Sequence, residues 1–264
     1  MSNPIKQKTA LVTGASRGIG AAIAKRLAAD GAHVLVNYAR SGEKADAVVA
    51  GIRSAGGSAA TIAGDVSDRN AISDMFNEID RDHSGAIDIL VNNAGLFRGG
   101  RIDEGDGAIS GDADAAADDV DQSFESMLSV NVRGVWYVTR QAASRLRDGG
   151  RIITIGSNAG EAALFPGNSA YSMTKFAVRG LSRGWARDLA ERRITSNIVA
   201  PGPIDTDMNP DSAENEFAEF IKQNTSLGRY GTAQEVAAAV AYLASDDASY
   251  VTGAELDING GWGI

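Results

Sequence analysis

The chain has no cysteine, only two histidines and five prolines, and aromatic residues make up 6% of its 264 positions. Without thiols there is no disulfide framework, no thiolate-held zinc and no cysteine nucleophile, and a reducing compartment, the cytoplasm, is the expected location. His33 and His83 stand far apart in the chain with no paired His or Cys, so no metal is expected. No run approaches the ~18 apolar residues of a membrane span, and the opening MSNPIKQKTALVTG lacks a signal-peptide core. No basic face or polybasic patch is visible, which removes nucleic acid and membrane surfaces as expected partners.

What is present is an apolar content of 44%, enough for a sizeable core in one economical domain spanning 1–264. The net charge is −9, but its source is local. The stretch DEGDGAISGDADAAADDVD, from Asp103 to Asp121, holds eight carboxylates, and without them 26 acids face 25 bases. Such a composition buries too little apolar surface to form a core. A calcium loop starting at Asp112 fails, because Ala116, Ala117 and Ser123 stand where a ligand, Gly and Glu are required.

Short Val/Ile-rich runs alternate with amphipathic, Ala-rich stretches, the pattern of repeated βα units. The expected fold class is α/β, a doubly wound parallel sheet of about seven strands with helices on both faces. The strands fall at Thr9–Thr13, His33–Tyr38, Ala59–Ala63, Ile87–Asn92, Gly150–Ser157, Thr195–Ala200 and Ala254–Ile258. Helices are expected at Gly18–Ala29, Glu43–Ala55, Arg69–Arg81, Val120–Arg147, Ser169–Arg192 and Ala233–Ala244.

The first strand ends in TGASRGIG. Glycines at 14, 18 and 20 permit a tight turn and let a phosphate approach the amides of a helix N-terminus, which predicts a dinucleotide pocket. Tyr171 and Lys175 lie four residues apart in a predicted helix, on one face, where an ammonium would lower the phenol pKa toward the working range. Ser157 follows an apolar strand, at the carboxyl edge where ligands bind in open α/β sheets.

The spacing Gly-x-x-x-Gly-x-Gly, then Asp65-Val66, NNAG at 92–95, Asn131, Ser157, YSMTK at 171–175 and PG at 201–202, resembles the classical short-chain dehydrogenase/reductase family. The stretch from TGASRGIG through NYARS resembles its 3-oxoacyl-[acyl-carrier-protein] reductase branch. The resemblance spans nearly the whole chain and implies a Rossmann-type fold and hydride transfer between a nicotinamide cofactor and a carbonyl/alcohol pair. It implies that Tyr171 is the general acid/base, that Ser157 orients the substrate oxygen, that Lys175 also binds the nicotinamide ribose, and that Asn131 supports a water-mediated proton relay. A homotetramer built through the two long helices and the C-terminal segment is a further implication.

For the cofactor, the glycine loop contributes Gly14, Ser16, Arg17, Gly18, Ile19 and Gly20. The end of strand two has Asn37, Tyr38 and Arg40 where an NAD-selective carboxylate would stand, so NADP(H) is expected ahead of NAD(H). Asp65 and Val66 are assigned to the adenine, and Asn92, Ala94 and Gly95 to support beneath the ribose. Pro201, Gly202, Ile204 and Thr206 open the substrate loop, 201–227, with Thr206 at the carboxamide. Phe97, Asn158, Leu164, Phe165 and Met208 fall near the substrate and suggest a modest, largely apolar ketone. Met208, Phe217 and Phe220 either cover the pocket or pack the short helix of that loop.

Two alternatives stand beside a ketone oxidoreductase: a 3-oxoacyl-[acyl-carrier-protein] reductase, and a nucleotide-sensing binding protein on the same fold. An acidic carrier would be repelled by an acidic insertion at the mouth. That insertion, 103–119, lies between NNAG and the helix carrying Asn131, on the active-site side. It is either a solvated loop that extends the next helix or a border of the pocket or a subunit contact that discourages anionic substrates.

Overall fold

The computed structural model describes residues 5–83, 85–103, 120–161, 163, 166–211 and 216–263. Leu164, Phe165 and most of the acidic insertion lie outside the described residues. The seven strands are β1 (Thr9–Val12), β2 (His33–Tyr38), β3 (Ser58–Ala63), β4 (Ile87–Asn92), β5 (Leu146–Ile155), β6 (Thr195–Pro201) and β7 (Glu255–Ile258). They form one sheet in the order β3-β2-β1-β4-β5-β6-β7, with every pairing parallel.

Among the described residues eight α-helices accompany them: α1 (Gly18–Ala29), α2 (Gly42–Ser54), α3 (Arg69–Asp82), α4 (Val120–Leu128), α5 (Val135–Ala143), α6 (Ser169–Asp188), α7 (Glu216–Asn224) and α8 (Ala233–Ala244). Alternate strand residues face opposite sides, and each side has its own core. Val12, Val34, Val36 and Val91 pack with Ile23 and Leu27 of α1 and Val236 and Val240 of α8. Leu11, Leu35 and Leu90 pack with Phe76 and Ile79 of α3, Val138 of α5 and Trp185 of α6. The chain winds from β1 outward to β3 and then returns to place β4 on the other flank of β1, so a crevice opens at the carboxyl ends of β1 and β4.

The long helix expected at Val120–Arg147 is interrupted. Between α4 and α5 the segment Ser129–Gly134 is π-helical, and Gly134 passes so close to β3's exit loop that a Cβ there would meet the Val66 carbonyl oxygen at 2.6 Å. The helix also ends early. Leu146 pairs with Ile87, and Ile87 N donates to Arg145 O at 3.0 Å, so β5 begins four residues before the expected Gly150. In the same way α6 stops at Asp188, and Arg193 turns the chain at φ 55° toward β6. His33 and His83, far apart in sequence, stack with ring centroids 5.9 Å apart.

Candidate active site

The crevice is a cleft of about 1640 Å³. Its first wall is the turn between β1 and α1. Gly14 sits at φ +61° with space for no side chain, since a Cβ would lie 2.8 Å from Ala94 Cα. Gly20 is equally confined, since a Cβ there would lie 2.4 Å from Asn93 Nδ2. Thr13 Oγ1 accepts from Asn93 N and Ala94 N at 2.9 and 3.0 Å, and Asn93 Nδ2 donates to Thr13 O and Gly14 O at 2.8 and 2.9 Å. This cross-bracing holds the ends of β1 and β4 together. Helix α1 starts with Arg17 as N-cap and no side-chain cap bond, which leaves its first-turn amides available to an anion. Gly14, Ser16, Arg17, Gly18, Ile19 and Gly20 all line the cleft.

Tyr38 and Arg40, at the end of β2, continue the wall, followed by Asp65 and Val66. Asp65 Oδ1 accepts from Ser67 N and Ser67 Oγ at 2.9 and 2.7 Å, which fixes that turn. Asn37 touches the cleft, but its amide faces inward: Oδ1 accepts from Gly14 N at 3.2 Å, and Nδ2 donates to Gly64 O at 3.0 Å. Its side chain therefore anchors the glycine turn. Pro201, Gly202, Ile204 and Thr206 line the opposite wall beside Ala94 and Gly95. The resulting cradle of close-packed glycines, open helix amides and cationic Arg17 and Arg40 fits a dinucleotide phosphate chain.

Asn92 is where the expectation is corrected. It is buried, and its Nδ2 donates to Thr139 Oγ1 at 2.9 Å between β4 and α5, away from the cleft. The next residue, Asn93, faces the cleft instead, because successive strand residues point to opposite sides.

At the other end of the cleft stand Ser157, Tyr171 and Lys175. Ser157 begins a 3₁₀ turn after β5, with Oγ accepting from Ala159 N at 3.1 Å. Lys175 Nζ donates to Ile155 O at 3.0 Å and lies 5.6 Å from the Tyr171 ring centroid. Phe97 meets the Tyr171 ring edge-on at 5.1 Å. Burial pushes the Tyr171 phenol up to about 12, opposed by its hydrogen bond with Ser157, and burial pulls Lys175 down to about 8. The expected lowering of the phenol by the ammonium is thus reversed in the protein alone. Burial is the larger influence on the phenol, and the Ser157 hydrogen bond is what opposes it.

Asn131 does not line the cleft. Its Oδ1 accepts from Leu96 N at 2.9 Å, while Nδ2 donates to Leu96 O at 2.9 Å and to Thr174 Oγ1 at 3.2 Å. Thr174 Oγ1 in turn donates to Tyr171 O at 2.7 Å. The amide ties the loop after β4 to α6.

Asn158, Met208 and Phe217 line the substrate end. Phe220 stands behind, stacked on Phe217 at 6.5 Å and edge-on to Trp262 at 6.3 Å. Sequence reasoning missed Arg98, Ile221 and Trp262, which also line the cleft. Trp262 closes a small core with Ala218, Ile221 and Tyr230, so the chain's end supports α7 from below. Its position in the terminal GGWG was the only signal.

A family model described as enoyl-(acyl carrier protein) reductase matches residues 14–263. The Escherichia coli K12 protein named cyclic-di-GMP-binding biofilm dispersal mediator protein is 39% identical, over 97% of each chain. The 3-oxoacyl-[acyl-carrier-protein] reductase of Staphylococcus aureus is 39% identical over 96% of this chain and 97% of its own. A short chain dehydrogenase of Burkholderia cenocepacia J2315, solved in complex with NADP, is 42% identical over 98% of each chain, with a TM-score of 0.87. With the glycine turn, Ser157 and the Tyr171/Lys175 pair in place, these matches mean that the chain belongs to the short-chain dehydrogenase/reductase family and resembles its 3-oxoacyl-[acyl-carrier-protein] reductase branch.

Proposed function

We propose that the protein is an NADP(H)-dependent oxidoreductase that interconverts a ketone and a secondary alcohol, with Tyr171 as general acid/base. The observation that carries this reading is the meeting of Ser157, Tyr171 and Lys175 at one end of a cleft whose other end is a glycine turn at an uncapped helix N-terminus. When bound, the nicotinamide supplies or accepts the hydride. Tyr171 gives its phenolic proton to the substrate oxygen in reduction, and burial keeps that proton in place at neutral pH. The Ser157 hydroxyl holds the same oxygen. Lys175, fixed to the end of β5, would hold the cofactor ribose.

Arg17 and Arg40 beside Tyr38, with no carboxylate at the end of β2, support NADP(H) over NAD(H). The Burkholderia relative solved with NADP supports the same preference. Trp136 on α5 and Phe176 on α6 are exposed, which supports association of copies through those helices.

The names of two relatives favour different readings: reduction of a carrier-bound 3-oxoacyl group, and binding of a nucleotide. All three separate in one assay. NADPH and NADH oxidation is followed by absorbance against ketones and against acyl thioesters, with Tyr171→Phe as control. Free ketones reduced with NADPH, and a loss of roughly 10²–10⁴-fold in Tyr171→Phe, is the expected result. Reaction of thioesters alone selects the carrier reading, and cofactor binding without any turnover selects the non-enzyme one.

A further inference from the structure

The whole chain is acidic, yet its cleft is not. Arg17, Arg40, Lys44, Arg98, Arg101 and Lys175 line it, against Asp65 and Asp207. The first three belong to the glycine-turn end, Lys175 to the proton-transfer group, and Arg101 pairs with Asp103 at 2.8 Å. Arg98 has no such employment. Among the described residues its guanidinium makes one hydrogen bond, from Nη1 to the Phe97 carbonyl oxygen at 3.0 Å, and its Nε is buried with no acceptor.

The position is specific. Arg98 follows Phe97, whose ring abuts Tyr171. Gly100 N donates to Gly167 O at 3.0 Å, so this loop is stitched to the segment that leads into α6. A second donor on the same cleft is also unused: Asn158, next to Ser157, has its Nδ2 buried without a partner. A buried donor nitrogen left without an acceptor is costly, and a planar guanidinium fork is matched by a carboxylate.

We propose that Arg98 recognises a carboxylate on the substrate, so that the preferred ketone is an oxo acid and the preferred alcohol a hydroxy acid. The proposal rests on the carbonyl-reducing reading of the cleft. The keto oxygen takes Ser157 and Tyr171, the carboxylate takes the Arg98 fork, and Asn158 Nδ2 supplies a neighbouring donor. An apolar ketone is the sequence-based expectation, and a border that discourages anions is one of the two readings of the acidic insertion; the charge inside the chamber points the other way.

The test compares 2-oxobutanoate, 3-oxobutanoate and 4-oxopentanoate with their methyl esters, using NADPH and the full-length protein. For at least one pair, wild-type kcat/KM for the acid is expected to exceed that for the ester by roughly tenfold or more, the effect of one charge-assisted hydrogen bond. In Arg98→Met that ratio falls to near one, chiefly through KM, and Arg98→Lys recovers part of it. Melting curves and NADPH affinity show that the variants are folded. Parity in wild type for all three pairs, or an unchanged ratio in Arg98→Met, overturns the proposal. If no ketone of either charge reacts, the carbonyl-reducing reading fails by itself, and calorimetry with 3-hydroxybutanoate, with and without NADP⁺, decides Arg98 separately. Binding that Arg98→Met abolishes supports the carboxylate site, whereas equal or absent binding in both proteins refutes it.

Discussion

Lys175 Nζ donates to the carbonyl oxygen of Ile155 at 3.0 Å, which fastens the catalytic helix to the end of β5, two residues before Ser157. The ammonium is thereby held in a nearly dry place, and burial lowers it from 10.5 to about 8. Orientation is gained at the cost of hydration.

The sign of the stability effect follows. Because the folded value lies below the unfolded one, the unfolded chain binds more protons between about pH 8 and 10.5, and this group's contribution to stability rises with pH across that window. At pH 7 the buried charge is a burden. Lys175→Met is expected to abolish turnover yet stabilise the fold by about 1–3 kcal/mol. Chemical denaturation at pH 7 checks this, and a lower midpoint in the variant would contradict it.

Asn131→Ala removes an acceptor for Leu96 N and a donor to Leu96 O and Thr174. Loss of about 2–3 kcal/mol in urea unfolding is expected, from buried groups left unpaired. Since the same amide steadies the loop beside Tyr171, kcat should fall more than NADPH affinity. An intact kcat in a destabilised variant would separate the two roles.

Asn37→Ala should weaken NADPH binding although the side chain points away from the cofactor wall. Its Oδ1 holds Gly14 N, and without it the turn loses one of its two hydrogen bonds to Asn37, the other running from Ala15 N to Asn37 O at 2.8 Å. Fluorescence titration is expected to show roughly a tenfold rise in Kd, equivalent to about 1.4 kcal/mol. An unchanged Kd would mean that the Ala15 backbone bond and the close approach of Gly14 to Ala94 suffice to shape the turn.

Arg40→Asp places a carboxylate at the exposed end of β2. The ratio of kcat/KM with NADPH to that with NADH should fall at least roughly tenfold, since a 2′-phosphate is repelled and a 2′-hydroxyl is accepted. A constant ratio would locate cofactor selection elsewhere, with Arg17 the next position to change.

The legible part of this protein is the part written by neighbours. Strand residues Val34, Leu35 and Val36 alternate between two cores, and that pattern announces a strand buried on both faces. Gly14 needs a positive φ, and Tyr171 and Lys175 share a helix face at a spacing of four. The long helix expected at Val120–Arg147 is broken by the π-helical segment at Ser129–Gly134, which is set beside Val66, some seventy residues earlier by the numbering.

Backbone conformation and one-face patterns, then, were determined by the sequence itself, since both depend on a few adjacent side chains. Which of Asn92 and Asn93 reaches the cleft, that Asn131 and Asn37 spend their amides inside the fold, and that Trp262 supports α7 were decided by tertiary structure. So was the direction of the Tyr171 and Lys175 shifts, and the lack of an acceptor at Arg98 Nε. Exclusion of water is the common reason: it takes residues from distant parts of the chain, closing from every side, to make a polar group find a partner or go without one.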